Sequence, residues 1–257
     1  MSHVKTFCAA FAVMLVTGVF SPASAQNSPP VVVELFPSQG CYSCPPAEAY
    51  LAELAERTDI VALEFHVDYW DSLTYMWHGQ WKDPFSSPQY TARQRDYNVA
   101  IRDQSGVYTP QMIIDGRYEA VGSRRPQVAD AIDRALGTRK LDIAIAPASD
   151  GGALEVTLSG SSGGADIGGV YLARFLDRAE TEVKKGENHG KILVSRHIVR
   201  DLRKLGDWRG TARKLSLPDD ALADNPDGKA MGCAILVQAP NQGHILGAAL
   251  CPRGPAS

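Results

Sequence analysis

VVVELFPSQGCYSCPPAEAYLAELA, residues 31–55, decides how the chain is read. Its first six residues are a short apolar run of strand type. Pro45 and Pro46 fit a helix start, where proline's missing N–H costs nothing. Ala47, Tyr50, Leu51, Leu54 and Ala55 follow at helical spacing as one buried stripe, with Glu48, Glu53 and Glu56 placed outside it. Between strand and helix stand Cys41 and Cys44. An exposed thiol pair there can cycle between dithiol and disulfide, and a helix N-terminus favours the reactive thiolate. Zinc sites and structural disulfides share the spacing, so a permanent local crosslink is the bland alternative. Pro45 has no N–H to bond back to Cys41, which places the helix start near Cys44-Pro45 and both cysteines on the loop before it.

Working outward, IVALEFHV (60–67) is the next strand, and a polar and aromatic segment follows over 68–87. Ser87-Pro88 caps a helix running to about Asn98. Thr109-Pro110 then precedes the strand QMIID, the Asp115-Gly116 hairpin turn and the strand RYEAV. Pro126 opens a last helix, with Val128, Ala131, Ile132, Ala135 and Leu136 apolar and Gly137 as its stop. The order is strand, helix, strand, helix, hairpin, helix. Composition shifts near residue 138. From about 140 to 253 the segments LDIAIA, ALEVTLSG, GGVYLARFLD, KILVSRHIVRDL, ARKLSL, MGCAILVQ and HILGAALC alternate with Gly-rich turns. That pattern predicts a second, mostly β domain of sandwich type.

Residues 1–25 read as a secretory signal: Lys5, an apolar stretch from Phe7 to Phe20, and the small-residue site Ala23-Ser24-Ala25. The stretch is shorter than the ~18 apolar residues of a membrane span, and no second one follows. The mature chain is therefore expected to be periplasmic or secreted, with no membrane span. Without Lys5 and Cys8 it keeps 25 Lys and Arg, 29 Asp and Glu, and four cysteines. A mildly acidic chain with no basic run gives no support for nucleic-acid binding. Four cysteines in an exported chain suit two pairs, Cys41 with Cys44 and Cys233 with Cys251. The second would staple the open end of a hairpin turning at Pro240-Asn241-Gln242-Gly243. No Ser-His-Asp elbow, phosphate-binding glycine loop or nucleotide fingerprint is present.

The runs VELFPSQGCYSCPPAE, LEFHVDYWD, WKDPFSSPQYTARQ, GVYTPQMIIDG and KKGENHGKILVSRHIVRDLRKLGDW resemble a family of secreted bacterial thioredoxin-like proteins classed as a domain of unknown function. The resemblance implies an α/β thioredoxin-like domain over 30–138, followed by the β-rich domain over 140–253. The family supplies a fold and not a reaction, but the pair stands where thioredoxins place theirs, so the leading expectation is a thiol–disulfide oxidoreductase that acts on cysteine-containing envelope proteins and exchanges electrons with a redox partner. Cys41 would attack and Cys44 resolve. The resemblance also implies a cis Pro110 facing the cysteines, where the alternative is an ordinary trans proline opening an edge strand. Glu34 lies opposite in phase to Val33 and Leu35. A buried proton acceptor beneath the pair and a water-facing carboxylate both fit it.

No cofactor is required by that reading. Copper is the alternative, because copper-delivery proteins of the same fold also follow a cysteine pair with proline. Cys41, Cys44 and His66 would then be the ligands, sulfur and imidazole suiting Cu(I); a hydrogen-bonded core residue is the other account of His66. Trp70, Trp77 and Trp81, with Tyr69, Tyr75 and Phe85, form either a lid or groove, or plain packing of the insertion onto the sheet. A non-catalytic binding module with two structural disulfides is the third functional class.

Overall fold

The computed structural model describes residues 29–74, 78–138, 140–148, 154–159, 167–223 and 228–252. The signal segment, Tyr75 and Trp77 lie outside them. β1 (Val31–Phe36) is buried on both faces, which is why it reads as continuous apolar sequence rather than an alternation. Val32 and Phe36 enter one core with Leu63, Phe65, Tyr90 and Tyr97. Val33 and Leu35 enter another with Leu51, Met112 and Ile132. β1 pairs in parallel with β2 (Ile60–Glu64) and antiparallel with β3 (Gln111–Ile114), which returns as β4 (Tyr118–Val121). α1 (Pro45–Ala55) and α3 (Arg125–Leu136) cover one face, and α2 (Pro88–Arg102) covers the other.

The three-residue turn between β3 and β4 has positive φ at Asp115 (51°) and Gly116 (62°), and the Arg117 amide closes it on the Ile114 carbonyl at 3.0 Å. Asp115 does more than turn the chain. Its Oδ1 accepts from the Val32 amide at 2.7 Å, and its Oδ2 pairs with Lys140 at 2.7 Å.

The remaining strands are β5 (Ile143–Pro147), β6 (Leu154–Leu158), β7 (Gly168–Glu182), β8 (Ile192–Trp208), β9 (Arg213–Ser216), β10 (Met231–Gln238) and β11 (Ile245–Leu250). The expected division near residue 138 is crossed by the main sheet, which has eight strands in the order β11-β10-β7-β8-β2-β1-β3-β4. The join is a parallel pairing of Glu64 with Ile198. A second sheet of three strands, β5-β6-β9, packs on one face of β7 and β10.

Strand alternation explains how one set of strands serves both layers. Ala234 and Leu236 face the core under α2, whereas Cys233, Ile235 and Val237 face the small sheet. The sandwich-like layering is therefore local. It shares its inner sheet with the α/β part instead of forming a sandwich of its own. Alternation in sequence records that a strand is buried on two faces, not which strands it joins. Cys233 and Cys251 are bonded where β10 and β11 part, with the Cys251 amide donating to the Cys233 carbonyl at 2.8 Å.

Candidate functional site

At the C-terminal ends of the parallel strands β1 and β2, residues 37–44, 65–74 and 78–87 build the site. The Val67 amide donates to the Pro37 carbonyl at 2.9 Å, carrying the ladder past the strands and holding the loops together. Cys41 and Cys44 are disulfide-bonded, with Cα atoms 5.5 Å apart. Cys44 is the N-cap of α1, and its carbonyl accepts from the Ala47 and Glu48 amides at 2.9 and 3.1 Å. Pro45 and Pro46 have no N–H, so the first turn of α1 offers no free amide to a sulfur. The polar neighbour of Cys41 Sγ is instead the Ser43 hydroxyl, at 3.3 Å.

Both sulfurs are covered, against the exposed pair expected from sequence. Cys41 is 1% and Cys44 0% exposed, while Tyr42 between them stands 65% exposed. The tip of the β7–β8 hairpin, residues 183–191, is bonded to this loop. Buried Asn188 donates from Nδ2 to the carbonyls of Gln39 and Cys41, both at 2.9 Å. The Tyr42 amide donates to Glu187 Oε2 at 2.7 Å, and Lys191 Nζ lies 4.2 Å from the centre of the Tyr42 ring. On its outer side His189 stacks on His78 at 4.8 Å, and the Gly186 amide donates to the His78 carbonyl. KKGENHGK carries the family resemblance in sequence, yet nothing local in it indicates that it reaches a loop some 145 residues earlier.

Pro110 is preceded by a cis peptide bond and is buried. The Phe36–Gln111 register brings it beside the start of the cysteine loop. Trp70 bridges the two: its Nε1 donates to Thr109 Oγ1 at 2.8 Å, and its Cβ would lie 3.3 Å from a Cβ placed on Gly40. Trp81 Nε1 donates to Gln39 Oε1 at 3.2 Å. These two tryptophans pack the insertion against the cysteine loop.

Glu34 is buried, but it is committed elsewhere. Arg93 Nε and Nη2 donate to its two oxygens at 2.6 and 2.8 Å, and the Tyr97 hydroxyl donates at 2.5 Å. Both of its oxygens are thus taken up by residues of α2. The role expected for Glu34 therefore does not follow from its surroundings.

His66 is not turned toward the sulfurs. Its Nδ1 lies 2.7 Å from Asp83 Oδ2 and its Nε2 3.1 Å from Glu64 Oε1. Burial alone would depress this imidazole, but Asp83 and Glu64 outweigh that and hold it well above its ordinary value. Asp83 Oδ2 also accepts from the Gln39 amide at 2.8 Å, tying the cluster to the cysteine loop.

Glu48 is the residue sequence reading misplaced. It was set on the outer face of α1, yet it is 4% exposed beside Glu64, with Ser195 Oγ 3.4 Å from its Oε1. Burial and the neighbouring Glu64 push its carboxyl well above the usual range. The signal was present: Glu48 is four residues after Cys44 and three before Leu51, on the buried stripe.

Among the described residues, no helix is long and apolar enough to cross a membrane. The chain matches no curated protein. It is similar to the X-ray crystal structure of protein AGR_C_4864 from Agrobacterium tumefaciens, with 31% identity and a TM-score of 0.74 over 91% of this chain and 98% of that one. HBP35 of Porphyromonas gingivalis shares the fold at 13% identity and a TM-score of 0.52, over 87% of this chain and 74% of that one. The model of a family described as a protein of unknown function (DUF1223) matches residues 32–238, and the chain belongs to that family.

Proposed function

We propose that this protein is an exported thiol–disulfide oxidoreductase of thioredoxin-like architecture whose cysteine pair is opened to substrate by displacement of the 183–191 hairpin tip. The observation that carries the reading is the disulfide between Cys41 and Cys44, formed where a parallel strand hands over to the N-terminus of a helix beside a cis proline. In the reducing direction, a Cys41 thiolate attacks a substrate disulfide and expels one substrate thiolate. The Cys44 thiol then loses its proton to solvent and attacks Cys41 Sγ. The second substrate sulfur leaves, and the protein is left in the oxidised form seen here. The oxidising direction is the same sequence reversed.

The test is mixed-disulfide trapping. Cys44→Ser is expected to retain cysteine-containing envelope proteins on Cys41 in non-reducing gels, and Cys41→Ser to retain none. Reduction of a model disulfide by the Cys41→Ser variant at the normal rate would remove the pair from the mechanism. Burial of both sulfurs favours a second reading, a binding module whose two disulfides are fixed crosslinks. A Cys41–Cys44 bond that resists dithiothreitol until the protein unfolds decides for it.

A further inference from the structure

We infer that Glu48, Glu64 and His66 form a binding site for one divalent transition-metal cation of the Zn2+ class, beneath the cysteine loop and independent of the sulfurs. One oxygen of each carboxylate and one nitrogen of the imidazole lie within 4.8 Å of one another, and all three residues are buried.

Two further observations point to a ligand. His66 Nε2 and Glu64 Oε1 face each other at 3.1 Å, but neither completes a well-aligned hydrogen bond, with the other or with any described group. Each has the other as its ion-pair neighbour but no hydrogen bond, which in a protein core leaves room for a shared ligand. A tetrahedral ion with bonds of ~2.0–2.1 Å holds its ligand atoms about 3.3 Å apart, close to the separation found. The second observation concerns the far side of the ring. Asp83 Oδ2, itself buried, sits 2.7 Å from His66 Nδ1 and is fixed by the Gln39 amide. A carboxylate on Nδ1 leaves Nε2 as the lone-pair donor, the outer-shell arrangement by which proteins orient histidine ligands.

The donor set of two carboxylates and one imidazole suits Zn2+ or Mn2+ rather than Cu(I), which prefers sulfur. Three protein ligands leave a fourth position for water or another donor. Ligation needs Glu48 ionised and His66 neutral, so binding is expected to release protons and to strengthen with rising pH. It draws together α1, β2 and the 65–87 loop, whose residue Asp83 also anchors Gln39, two positions before Cys41.

The probe is Zn2+ alone, titrated calorimetrically into chelator-treated, fully oxidised protein, with Co2+ as the spectroscopic substitute. One Zn2+ per chain and a raised melting temperature are expected. Co2+ should show visible d–d bands without a thiolate charge-transfer band. Glu48→Gln, nearly isosteric, should abolish stoichiometric binding, and Asp83→Asn should weaken it about 10–100-fold. The stacked pair His78–His189 is the competing surface site, so His189→Ala should bind as the wild type does. Absence of binding, or binding that survives Glu48→Gln but is lost in His189→Ala, overturns the assignment. If Glu48→Gln fails to fold, Asp83→Asn decides by the same criterion. Because the disulfide is intact throughout, these outcomes are separate from those that test the redox reading.

Discussion

Replacing Asn188 with alanine would remove the one side chain that ties the 183–191 hairpin tip to two carbonyls of the cysteine loop, those of Gln39 and Cys41. Each hydrogen bond contributes a net ~0.5–1.5 kcal/mol, so the closed tip loses roughly 2 kcal/mol relative to the lifted one. What remains is the exposed Tyr42 amide on Glu187, Lys191 over the Tyr42 ring, and the Gly186 amide and His189 ring on His78. If reductant reaches the sulfurs only when the tip lifts, ~2 kcal/mol raises the opening equilibrium, and with it the second-order reduction rate, about 30-fold. The assay is the rate of Cys41–Cys44 reduction by dithiothreitol in native buffer, read by rapid alkylation and mass spectrometry. Cys233–Cys251 is the internal reference. A rate within about twofold of the wild type refutes the hairpin as the gate. A rise shared equally by the second disulfide refutes it as well, since the acceleration would then have come through global unfolding.

Other contacts carry equally definite expectations. Glu34→Gln leaves Arg93 in the core without its counter-charge, and urea unfolding should show a loss of about 3–5 kcal/mol. A loss under about 1 kcal/mol, typical of a surface pair, would contradict the burial argument. Gly116→Ala puts a side chain at φ +62° with its Cβ 2.7 Å from the Gly243 carbonyl, and should cost upward of ~1–2 kcal/mol in the same measurement. No change would mean that β11 and the β3–β4 turn do not meet. Removing Cys233 and Cys251 together opens a crosslink of sequence separation 18 and should cost about 3 kcal/mol, while leaving the kinetics of the first disulfide untouched. Altered Cys41–Cys44 kinetics in that double variant would show that the two ends of the molecule are coupled.

What was legible in the sequence was local. VVVELF and MGCAILVQ declare themselves as strands because an apolar run of that length between turn residues has few other homes. Pro45, Ser87-Pro88 and Pro126 mark helix starts by a missing donor that only a first turn tolerates. The Asp115-Gly116 turn is likewise written in two residues. The failures share one cause, which is long-range pairing. Glu34 and Glu48 were both weighed from their own elements, but what decides each is a residue far along the chain: Arg93 for the first, Glu64 and Ser195 for the second. The hydrogen bond from Asn188 to the Cys41 carbonyl spans 147 residues. No window along the chain contains both partners, so periodicity could assign neither.

β8 shows why the cysteine loop and the buried cluster belong to one device. A strand of 17 residues is longer than pairing with β2 requires, since the two share a single ladder position at Glu64 and Ile198. It pairs with β7 along its whole length, and its first residues lead directly from the tip bonded to the cysteine loop. On the way it places Ser195 against Glu48 and the Arg196 amide on Glu64 Oε2 at 3.0 Å. The segment bonded to the cysteine loop is thus continuous with the segment that contacts the carboxylate–imidazole cluster. Asp83 reaches that cluster from one side and the cysteine loop from the other. A cation that locks Glu48, Glu64 and His66 together stiffens the base of β8, and so favours the hairpin in its covering position. Zn2+ should therefore slow reduction of Cys41–Cys44 in the wild-type protein and leave the rate unchanged in Glu48→Gln. Equal rates with and without Zn2+ in a wild type shown to bind it would separate the two features and leave the cover to Asn188 alone.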